Sequence, residues 1–488
     1  MNTVHQSGAW GTRLLGAAFA LGCALGASAP AWAQGGAGGG GAGGGGTGGG
    51  TGLGQPGGVG SAPEQEVAMP REAEPPVLTA GKLFGDLGGL RSKLLNAGVN
   101  LQLDYTGEIA RNLSGQRQGF DYAHQFGFSA DVDWQKLANV PGFNTHLVVI
   151  NRAGRNLSRD YLGDNISQAT EVYGAGFNVA TKLVYLYAEE KLLGDRVNLA
   201  AGRLPVGVDF ASSPLACIAV SLTPGCGVPR ALANSTGFTT FPQSGWGGRV
   251  RVRPTAETYV QAGAYEVQPF PAGGRTGFDW STGRDTGALI PVELGYEPVI
   301  GRNQLIGHYK VGYAHDTSDY PDLFSNSLGQ PIGFTAAPAE TRHGRDSFWV
   351  MADQMMVRHG KGQNDGLILM ASYAHSSSDV TFNSDTVFGA IIDRGFFRPS
   401  DTIEFAAGWY GISDRFGKLQ QFDLDTGRPI AKGARGPQRS EYVLELNYTA
   451  TVARGVAIEP AVQYFIYPNA DRRTKNALVL AARFHVDF

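Results

Sequence analysis

The chain has 488 residues, of which 40 are basic and 43 acidic, and its formal net charge is −3. This balance excludes the basic footprint expected of a protein that binds nucleic acid. Beyond the N-terminus there is no run of about twenty apolar residues, which argues against a helical membrane protein.

The start of the chain has the pattern of an export signal. Arg13 precedes an apolar run from Leu14 to Ala29, and Ala31-Trp32-Ala33 supplies a small-x-small cleavage site. We predict a signal peptide over residues 1–33. Cys23 leaves a lipoprotein signal as the alternative.

Residues 34–82 are predicted to form a disordered periplasmic segment. Glycine fills 18 of the 26 positions from Gly35 to Gly60, so this stretch has almost nothing to bury. Ser61 to Pro76 continues it with prolines and glutamates. Neither stretch carries chemistry.

Ordered structure is predicted over residues 83–488. From Gly85 to Gly98, leucines at helical spacing indicate a short amphipathic helix with a glycine C-cap. The residues from Val99 to Asn112 then alternate, with Leu101 and Leu103 on an apolar face and polar residues between them. A complete apolar face opposite a complete polar face is typical of a strand that separates lipid from water.

The same period of two recurs along the rest of the chain. The alternating segments are His124–Trp134, Thr181–Leu192, Asp195–Gly207, Gly245–Thr255, Tyr259–Val267, Gly307–Asp316, Ser347–Gly360, Gly366–Ser376, Thr402–Ser413, Ser440–Val452, Gly455–Pro468 and Asn476–Phe488. Short turns alternate with long connections such as Gln268 to Arg284. The predicted fold class is therefore all-β, an antiparallel transmembrane β-barrel of about sixteen strands.

The final strand carries a specific prediction about orientation. Arg483, His485 and Asp487 share one face, which should meet water, while the other face should meet lipid. From these residues alone, an edge strand of a soluble all-β domain is the alternative. The terminal Phe488 resembles the aromatic ending by which barrel-assembly machinery recognises outer-membrane proteins.

Two groups of side chains extend this interpretation. Seven aromatic residues are predicted at strand ends, where amphipathic rings favour the membrane interface: Trp134, Tyr187, Trp246, Trp349, Trp409, Tyr467 and Phe488. Arg249, Arg251 and Arg253 share one strand face, which is unfavourable unless water or a counter-charge is at hand. A water-filled lumen supplies both.

The mature chain keeps two cysteines, Cys217 and Cys226, in a stretch rich in proline and glycine. In an exported protein such a close pair is most simply a disulfide that closes a loop. No zinc ligands accompany them, and no metal site or other cofactor is predicted.

Several segments resemble the carbohydrate-selective porins of the OprB family. The resemblance covers nearly everything from Leu83 to Phe488. It is carried by the number, order and spacing of segments that include GDLGGLRSKL from Gly85, AGRLPVGVDFASSPLAC from Ala201, SGWGGRVRVRPTAETYVQAGAYEVQP from Ser244, GHYKVGYAHDTSDYPD from Gly307 and VAIEPAVQYFIYPNADRRTKNALVLAARF from Val456. It implies a sixteen-stranded barrel in the outer membrane of a Gram-negative cell, through which sugars, glucose especially, diffuse into the periplasm.

One local sequence departs from the family. Its members typically have Gly-Arg-Pro-Asp-Asp where this chain has Phe397-Arg398-Pro399-Ser400-Asp401. The arginine and the second aspartate are retained, while the glycine and the first aspartate are replaced. The resemblance therefore leaves the loop geometry and any sugar contact at this place open.

A constriction that passes neutral sugars should present charged side chains to the hydroxyls and aromatic rings to the C–H faces, with weak affinity. The candidates for the constriction are Arg203, Asp209, Arg249, Arg251, Arg253, Lys310, Arg398, Asp401 and Glu404. For each single residue, a general wall or loop charge is the alternative. No catalytic constellation stands out. The neighbouring Ser, His and Asp residues from His375 to Asp379 lie in a run of serines after a strand, which favours a solvated loop over a triad.

The sequence thus predicts a passive sugar porin, with permeating sugars, outer-membrane lipid and the barrel-assembly machinery as its partners. A general or differently selective diffusion channel is the alternative, and a membrane-embedded enzyme or adhesin is a third. Both a monomer and a homotrimer are compatible with the sequence, and no loop is singled out as the one that narrows the pore.

Overall fold

The computed structural model describes residues 81–170, 172, 179–221, 228–233, 237–268, 278, 285–359, 365–398, 401–430 and 433–488. The predicted signal peptide and all but the last two residues of the predicted Gly-rich segment lie outside these ranges. Within them, none of the helices has the length and apolar character needed to cross a membrane.

The described residues form one sheet of long antiparallel strands. The strands are β1 (Val99–Asn112), β2 (Gly119–Asp133), β3 (Phe143–Gly154), β4 (Val179–Leu192), β5 (Val197–Leu204), β6 (Gly245–Val252), β7 (Thr258–Val267), β8 (Gly287–Tyr296), β9 (Val299–Ile300), β10 (Leu305–Asn326), β11 (Ala339–Arg358), β12 (Gly366–Ser376), β13 (Asn383–Arg394), β14 (Thr402–Ile412), β15 (Ser440–Ala453), β16 (Val456–Ile466) and β17 (Ala477–Asp487). β9 is a two-residue pairing at the base of β10, so the wall itself has sixteen strands.

The sheet closes on itself. β1 pairs with β2 on one side and with β17 on the other, where Glu108 lies opposite Arg483. Closure gives every wall strand two neighbours, which satisfies the backbone groups that an open edge would expose to lipid. The predicted sixteen-stranded barrel is confirmed.

Side-chain burial follows the predicted alternation. Leu101 and Leu103 of β1 are exposed on the outside, whereas Thr106 and Glu108 are buried on the inside. In β17 the face that carries Arg483 also carries the other buried side chains, and Leu480 lies on the exposed face. The predicted water-facing and lipid-facing sides of the last strand are therefore confirmed.

The two ends of the barrel differ. Connections at the end that holds Val99 and Phe488, here called the termini end, are short, as in the turn at residues 193–196. Connections at the opposite loop end are longer, as in residues 205–244 and 413–439. The helices in the described chain lie in these connections or before β1: α1 (Leu90–Asn96), α2 (Trp134–Ala138), α3 (Val206–Asp209), α4 (Arg230–Ala233) and α5 (Asp414–Asp425), with 3-10 turns at Leu87–Gly89, Pro214–Cys217 and Pro468–Ala470 and a π-helical turn at Ser158–Leu162.

The predicted N-terminal helix is present, but it is shorter than the leucine pattern from Gly85 to Gly98 indicates. Gly88 and Gly89 adopt positive φ angles of 69° and 95°, so the α-helix begins only at Leu90. Gly98 then turns the chain into β1 with φ 91°, and a Cβ atom there would lie 2.5 Å from the Asp133 carbonyl oxygen. A glycine is required at this turn for both reasons.

The residues before α1, together with Arg91 in α1, contact the end of the last strand. The Leu83 amide donates to the Asp487 carbonyl at 2.7 Å, and Lys82 forms an ion pair with the Asp487 side chain at 3.3 Å. Phe84 stacks on Phe488 with ring centroids 5.7 Å apart, and Arg91 donates to the Phe488 carbonyl at 2.5 Å. Both ends of the barrel sequence therefore meet at the closing seam.

Two of the seven aromatic residues predicted at the membrane interface lie inside the barrel instead. Trp349 is fully buried and donates through Nε1 to Glu293 at 2.7 Å. Tyr187 is buried and stacks on His146 with centroids 4.5 Å apart. The prediction was wrong for this pair because both side chains are on the inward face of mid-strand positions, where folded-in loop residues cover them.

Candidate functional site

The main feature of the lumen is the connection between β5 and β6, whose described residues 205–221, 228–233 and 237–244 fold into the barrel and are here called the inner segment. Residues 237–244 are its returning limb. The Ala211 amide of the inner segment donates to Glu293 on β8 at 2.9 Å. Its Val220 amide donates to Glu445 on β15 at 2.6 Å, and its Ala231 amide to Thr386 on β13 at 2.9 Å. Because these wall strands lie on different sides of the barrel, the inner segment crosses the lumen and narrows it. Residues 217–221 are called the crossing part of the inner segment.

Arg249 on β6 anchors the beginning of the inner segment. Its Nε donates to Asp209 of α3 at 2.7 Å, and its Nη2 lies 3.3 Å from Glu189 on β4. Nη1 bonds Asn198 on β5 as well. Arg249 is 3% exposed, so its guanidinium stabilises the position of the inner segment.

The next two arginines of the predicted row face the same way. Arg251 donates to Gln261 at 2.7 Å and lies over the Tyr259 ring, with its guanidinium carbon 5.0 Å from the ring centroid. Arg253 pairs with Glu297, just beyond β8, at 2.9 Å. All three inward arginines therefore have the counter-charge or acceptor that a row of like charges requires, and we call them the arginine wall.

Two more predicted residues reach the inner segment from neighbouring strands. Lys310 on β10 donates from Nζ to the Ser212 carbonyl at 2.7 Å. Arg203 at the end of β5 donates to the Ser244 carbonyl at 3.3 Å. The structure thus brings five of the nine predicted constriction residues together at the inner segment: Arg203, Asp209, Arg249, Arg251 and Lys310. Arg253 lies beyond them, at the termini end of β6, and pairs with Glu297 instead.

Arg398 and Asp401 lie elsewhere. They belong to the β13–β14 connection at the termini end, where Arg398 Nε pairs with Asp401 at 2.8 Å. Asp401 also bonds the hydroxyl of Tyr448, whose side chain is on the outward face of β15. The Arg398 side chain is largely exposed. The structure does not bring this pair to the narrowed part of the lumen.

Glu404 is on the inward face of β14, opposite the arginine wall. It accepts from Asn447 Nδ2 at 2.8 Å and is fully buried. It belongs to a group of inward glutamates on neighbouring strands that we call the glutamate wall. The members of the glutamate wall are Glu108, Glu404, Glu441, Glu445 and Glu459.

The glutamate wall binds the backbone of residues that fold into the lumen. Glu445 accepts from the Val220 amide at 2.6 Å and from the Ser221 amide at 3.0 Å. Glu108 accepts from the Val172 amide at 2.7 Å, in the connection between β3 and β4. Of the glutamate wall, sequence reasoning selected only Glu404 and missed the anchoring role of Glu108 and Glu445. A polar residue at every second position looks the same in the sequence whether it meets water or an inner loop.

Arg483 joins the glutamate wall to the inner segment. Its Nε pairs with Glu108 at 3.1 Å and its Nη1 with Glu459 at 3.4 Å. Its Nη2 donates to the Ala219 carbonyl at 2.7 Å, and Nη1 also reaches the Cys217 carbonyl at 3.1 Å. The water-facing side predicted for the last strand therefore binds the crossing part of the inner segment directly.

Cys217 is disulfide-bonded in the structure. Its predicted partner, Cys226, lies outside the described residues, so the pairing of these two cysteines stays a prediction. In the part of the chain that the structure describes, no cluster of three or more His, Cys, Asp or Glu side chains is placed to hold a metal ion.

A half-buried aromatic ring lies on the returning limb of the inner segment. Phe241 packs edge to face against Tyr185 of β4, with centroids 6.1 Å apart at 84°. The Arg152 guanidinium carbon lies 5.3 Å from its ring centroid. Two residues further along the chain, Gln243 accepts from Lys182 Nζ at 2.5 Å. The lumen therefore presents ring surface and polar donors side by side.

This geometry supports solute passage. A closed barrel of this size with a polar interior has the architecture of a channel, and the inner segment occupies part of that interior.

Comparisons with known proteins agree with this geometry. The family model for the carbohydrate-selective porin, OprB family, matches residues 117–488. Porin B of Pseudomonas aeruginosa is 30% identical over 428 residues, which cover 83% of this chain and 91% of that protein. A high-pH structure of Pseudomonas putida OprB superposes with a TM-score of 0.78 at 29% identity, covering 84% of this chain and 99% of that one.

The family match extends over far more than half of the chain and includes every wall strand except β1. The resemblance drawn from the sequence segments is thereby confirmed. The protein is an outer-membrane β-barrel, and it belongs to the OprB family of carbohydrate-selective porins.

Proposed function

We propose that this porin passes glucose and similar sugars more readily than other neutral solutes of the same size, and that the inner segment sets this preference. The carrying observation is that the inner segment crosses the lumen between Glu293 on one side and Glu445 on the other. A solute must pass beside it, within reach of polar side chains and of an aromatic ring.

Liposome swelling tests the preference. Vesicles that contain the purified porin should swell faster in glucose than in a neutral non-sugar solute of similar size. Equal rates would leave a general diffusion channel as the function. Vesicles without protein give the background rate.

We propose an indirect role for the arginine wall. Arg249 is buried and bound to Asp209, so it acts on the pore by fixing the inner segment. Replacing Arg249, Arg251 and Arg253 together with alanine should change glucose flux and ion selectivity. Unchanged conductance and selectivity in this variant would remove the arginine wall from the constriction.

We further propose that residues 1–33 are removed on export, that residues 34–82 precede the barrel in the periplasm, and that residues 83–488 are the porin domain. The support for this division is the cleavage pattern before Gln34 and the glycine content that follows it. The mature N-terminus of the membrane-extracted protein tests it, and a start before Ala31 would contradict the proposed cleavage site.

We also propose that the barrel-assembly machinery recognises the last residue, Phe488. Deleting Phe488 should strongly reduce the amount of folded barrel in the outer membrane. The matched control is Phe84→Ala, which removes the ring stacked on Phe488 and leaves the terminal aromatic in place. Normal insertion of the deletion variant, or equal losses in both variants, would contradict a recognition role.

A further inference from the structure

We propose that Phe241, Gln243 and Lys182 form a binding platform for a pyranose ring on the returning limb of the inner segment. The inference rests on the proposed passage of sugars and names the residues that contact them. None of the three was among the constriction residues selected from the sequence. Phe241 and Gln243 lie in a connection without a regular pattern, and Lys182, although it belongs to the alternating segment of β4, has no feature in the sequence that distinguishes it from other inward polar residues.

The first argument is the fixed position of the Phe241 ring. One contact is the guanidinium of Arg152, itself fully buried and bonded through Nε to Gln125 at 2.7 Å. A second is the edge-to-face contact with Tyr185. Phe241 is half-buried as a residue, and we assign part of its exposed surface to the ring. Since its neighbours are inward side chains of β3 and β4, that exposed surface faces the interior of the barrel.

The second argument is the polar pair beside the ring. Lys182 and Gln243 are both half-buried and are joined by one hydrogen bond. An ammonium has three donors and a carboxamide has two more, so the bond between them uses one of these five N–H groups. Hydroxyl oxygens of a sugar can accept from the others while the C–H face of the sugar covers the phenyl ring.

The third argument is the contrast with the arginine wall. Arg249, Arg251 and Arg253 are 3%, 6% and 8% exposed, and their donors bind Asp209, Gln261 and Glu297. A permeating sugar meets little of these side chains. The platform offers more open surface and only a few donors, which suits the weak, reversible binding that a conducting site needs.

The test uses the purified full chain in planar bilayers and measures the glucose concentration that halves the single-channel current. Phe241→Leu removes the aromatic face at similar volume and should raise this concentration by about 5-fold, the size expected for one lost ring contact. Phe241→Tyr keeps the ring and should restore the wild-type value. Sorbitol, an acyclic polyol with the same number of carbons, should show little difference between wild type and Phe241→Leu.

The control is Phe334→Leu, which changes an exposed phenylalanine in the β10–β11 connection at the loop end. It should leave the half-blocking glucose concentration unchanged. If Phe241→Leu does not fold, Gln243→Ala and Lys182→Met test the polar half of the platform, and each should weaken glucose block by about 2-fold or more.

The outcomes separate the two proposals. If glucose does not block wild-type channels, and if vesicles swell at equal rates in glucose and in the non-sugar solute, both the sugar preference and the platform are overturned. Glucose block that is the same in wild type, Phe241→Leu, Gln243→Ala and Lys182→Met would overturn the platform alone and leave the sugar preference standing.

Discussion

The two charged walls of the lumen hold the inner segment in different ways. The arginine wall binds a side chain of the segment, since Arg249 pairs with Asp209. The glutamate wall binds its backbone, since Glu445 accepts from the amides of Val220 and Ser221. The same loop is therefore fixed by a residue-specific contact at its start and by contacts with the main chain where it crosses.

This difference indicates which positions can vary. A substitution at Val220 or Ser221 leaves the amide that Glu445 binds, whereas a substitution at Asp209 removes the carboxylate that Arg249 binds. The side chains of the crossing part can therefore change the character of the pore without releasing the segment from the wall.

Breaking the arginine wall should have the largest effect. Arg249→Ala leaves Asp209 and Glu189 buried without their guanidinium partner, and removing one partner of a buried ion pair typically costs about 3–5 kcal/mol. The temperature at which the folded barrel unfolds in detergent should fall accordingly. Arg155→Ala is the control, because its side chain is 68% exposed in its pair with Asp160. Equal transition temperatures for both variants would contradict a structural role for Arg249.

Breaking the glutamate wall at one point should release only the crossing part of the inner segment. Glu445→Ala removes the two hydrogen bonds that hold the inner segment, each worth about 1.5 kcal/mol or more, and two more from Asn447 and Gln463 of the wall itself. Hydrogen exchange at the Val220 and Ser221 amides should accelerate, and single-channel conductance should rise.

The matched control for this prediction is Glu404→Ala. Glu404 is on the same wall, but its described hydrogen bond is with Asn447 of the wall itself. Its replacement should leave exchange at Val220 and Ser221 unchanged. If both glutamate variants changed exchange and conductance alike, the anchoring of the segment by Glu445 would be refuted.

The smallest expected effect is on the pH dependence of barrel stability, through a carboxyl group in a second loop. Asp164, in the β3–β4 connection, accepts from the amides of Ile166 at 2.8 Å and Asn469 at 3.1 Å. Burial raises the pKa of the Asp164 carboxyl above its usual range. As pH rises from that usual range through the raised pKa, the native state still holds a proton that the unfolded state has released, so wild type loses stability.

Asp164→Asn removes this titration. Its unfolding temperature should fall less than that of wild type between acidic and alkaline pH, since the amide carries no ionisable proton in this range. Thermal unfolding of both proteins across the pH series provides the measurement. Parallel curves would show that Asp164 does not contribute to the pH dependence.

The orientation of the wall could be predicted from sequence wherever one face of a strand meets lipid. Val250 and Val252 are exposed and Arg249 and Arg251 buried, as their alternation indicates. The reason is physical: a one-residue slip would place guanidinium groups in hydrocarbon, so the register is strongly determined.

The interior could not be predicted in the same way. The period of two predicts only which side chains point inward. It does not distinguish inward side chains that meet water from those that the inner segment covers. Trp349 is therefore buried against Phe238 of that segment rather than placed at the membrane interface. Apolar and polar residues do not alternate in the inner segment itself. Its sequence therefore resembles that of an external loop, and only the contacts with the wall show that it lies inside.

The position of Arg483 determines the order in which the pore can be completed. This residue, in the last strand, holds the carbonyls of Cys217 and Ala219, and Glu293 of β8 holds the Ala211 amide. The bonds to Arg483 cannot form until nearly the whole chain has been synthesised and β17 has met β1. A chain that stops short of β17 leaves an open seam and lacks the contacts of Arg483 with the inner segment, while Glu293 and Glu445 still hold it. Completion of the wall therefore adds the last contacts that fix the shape of the passage.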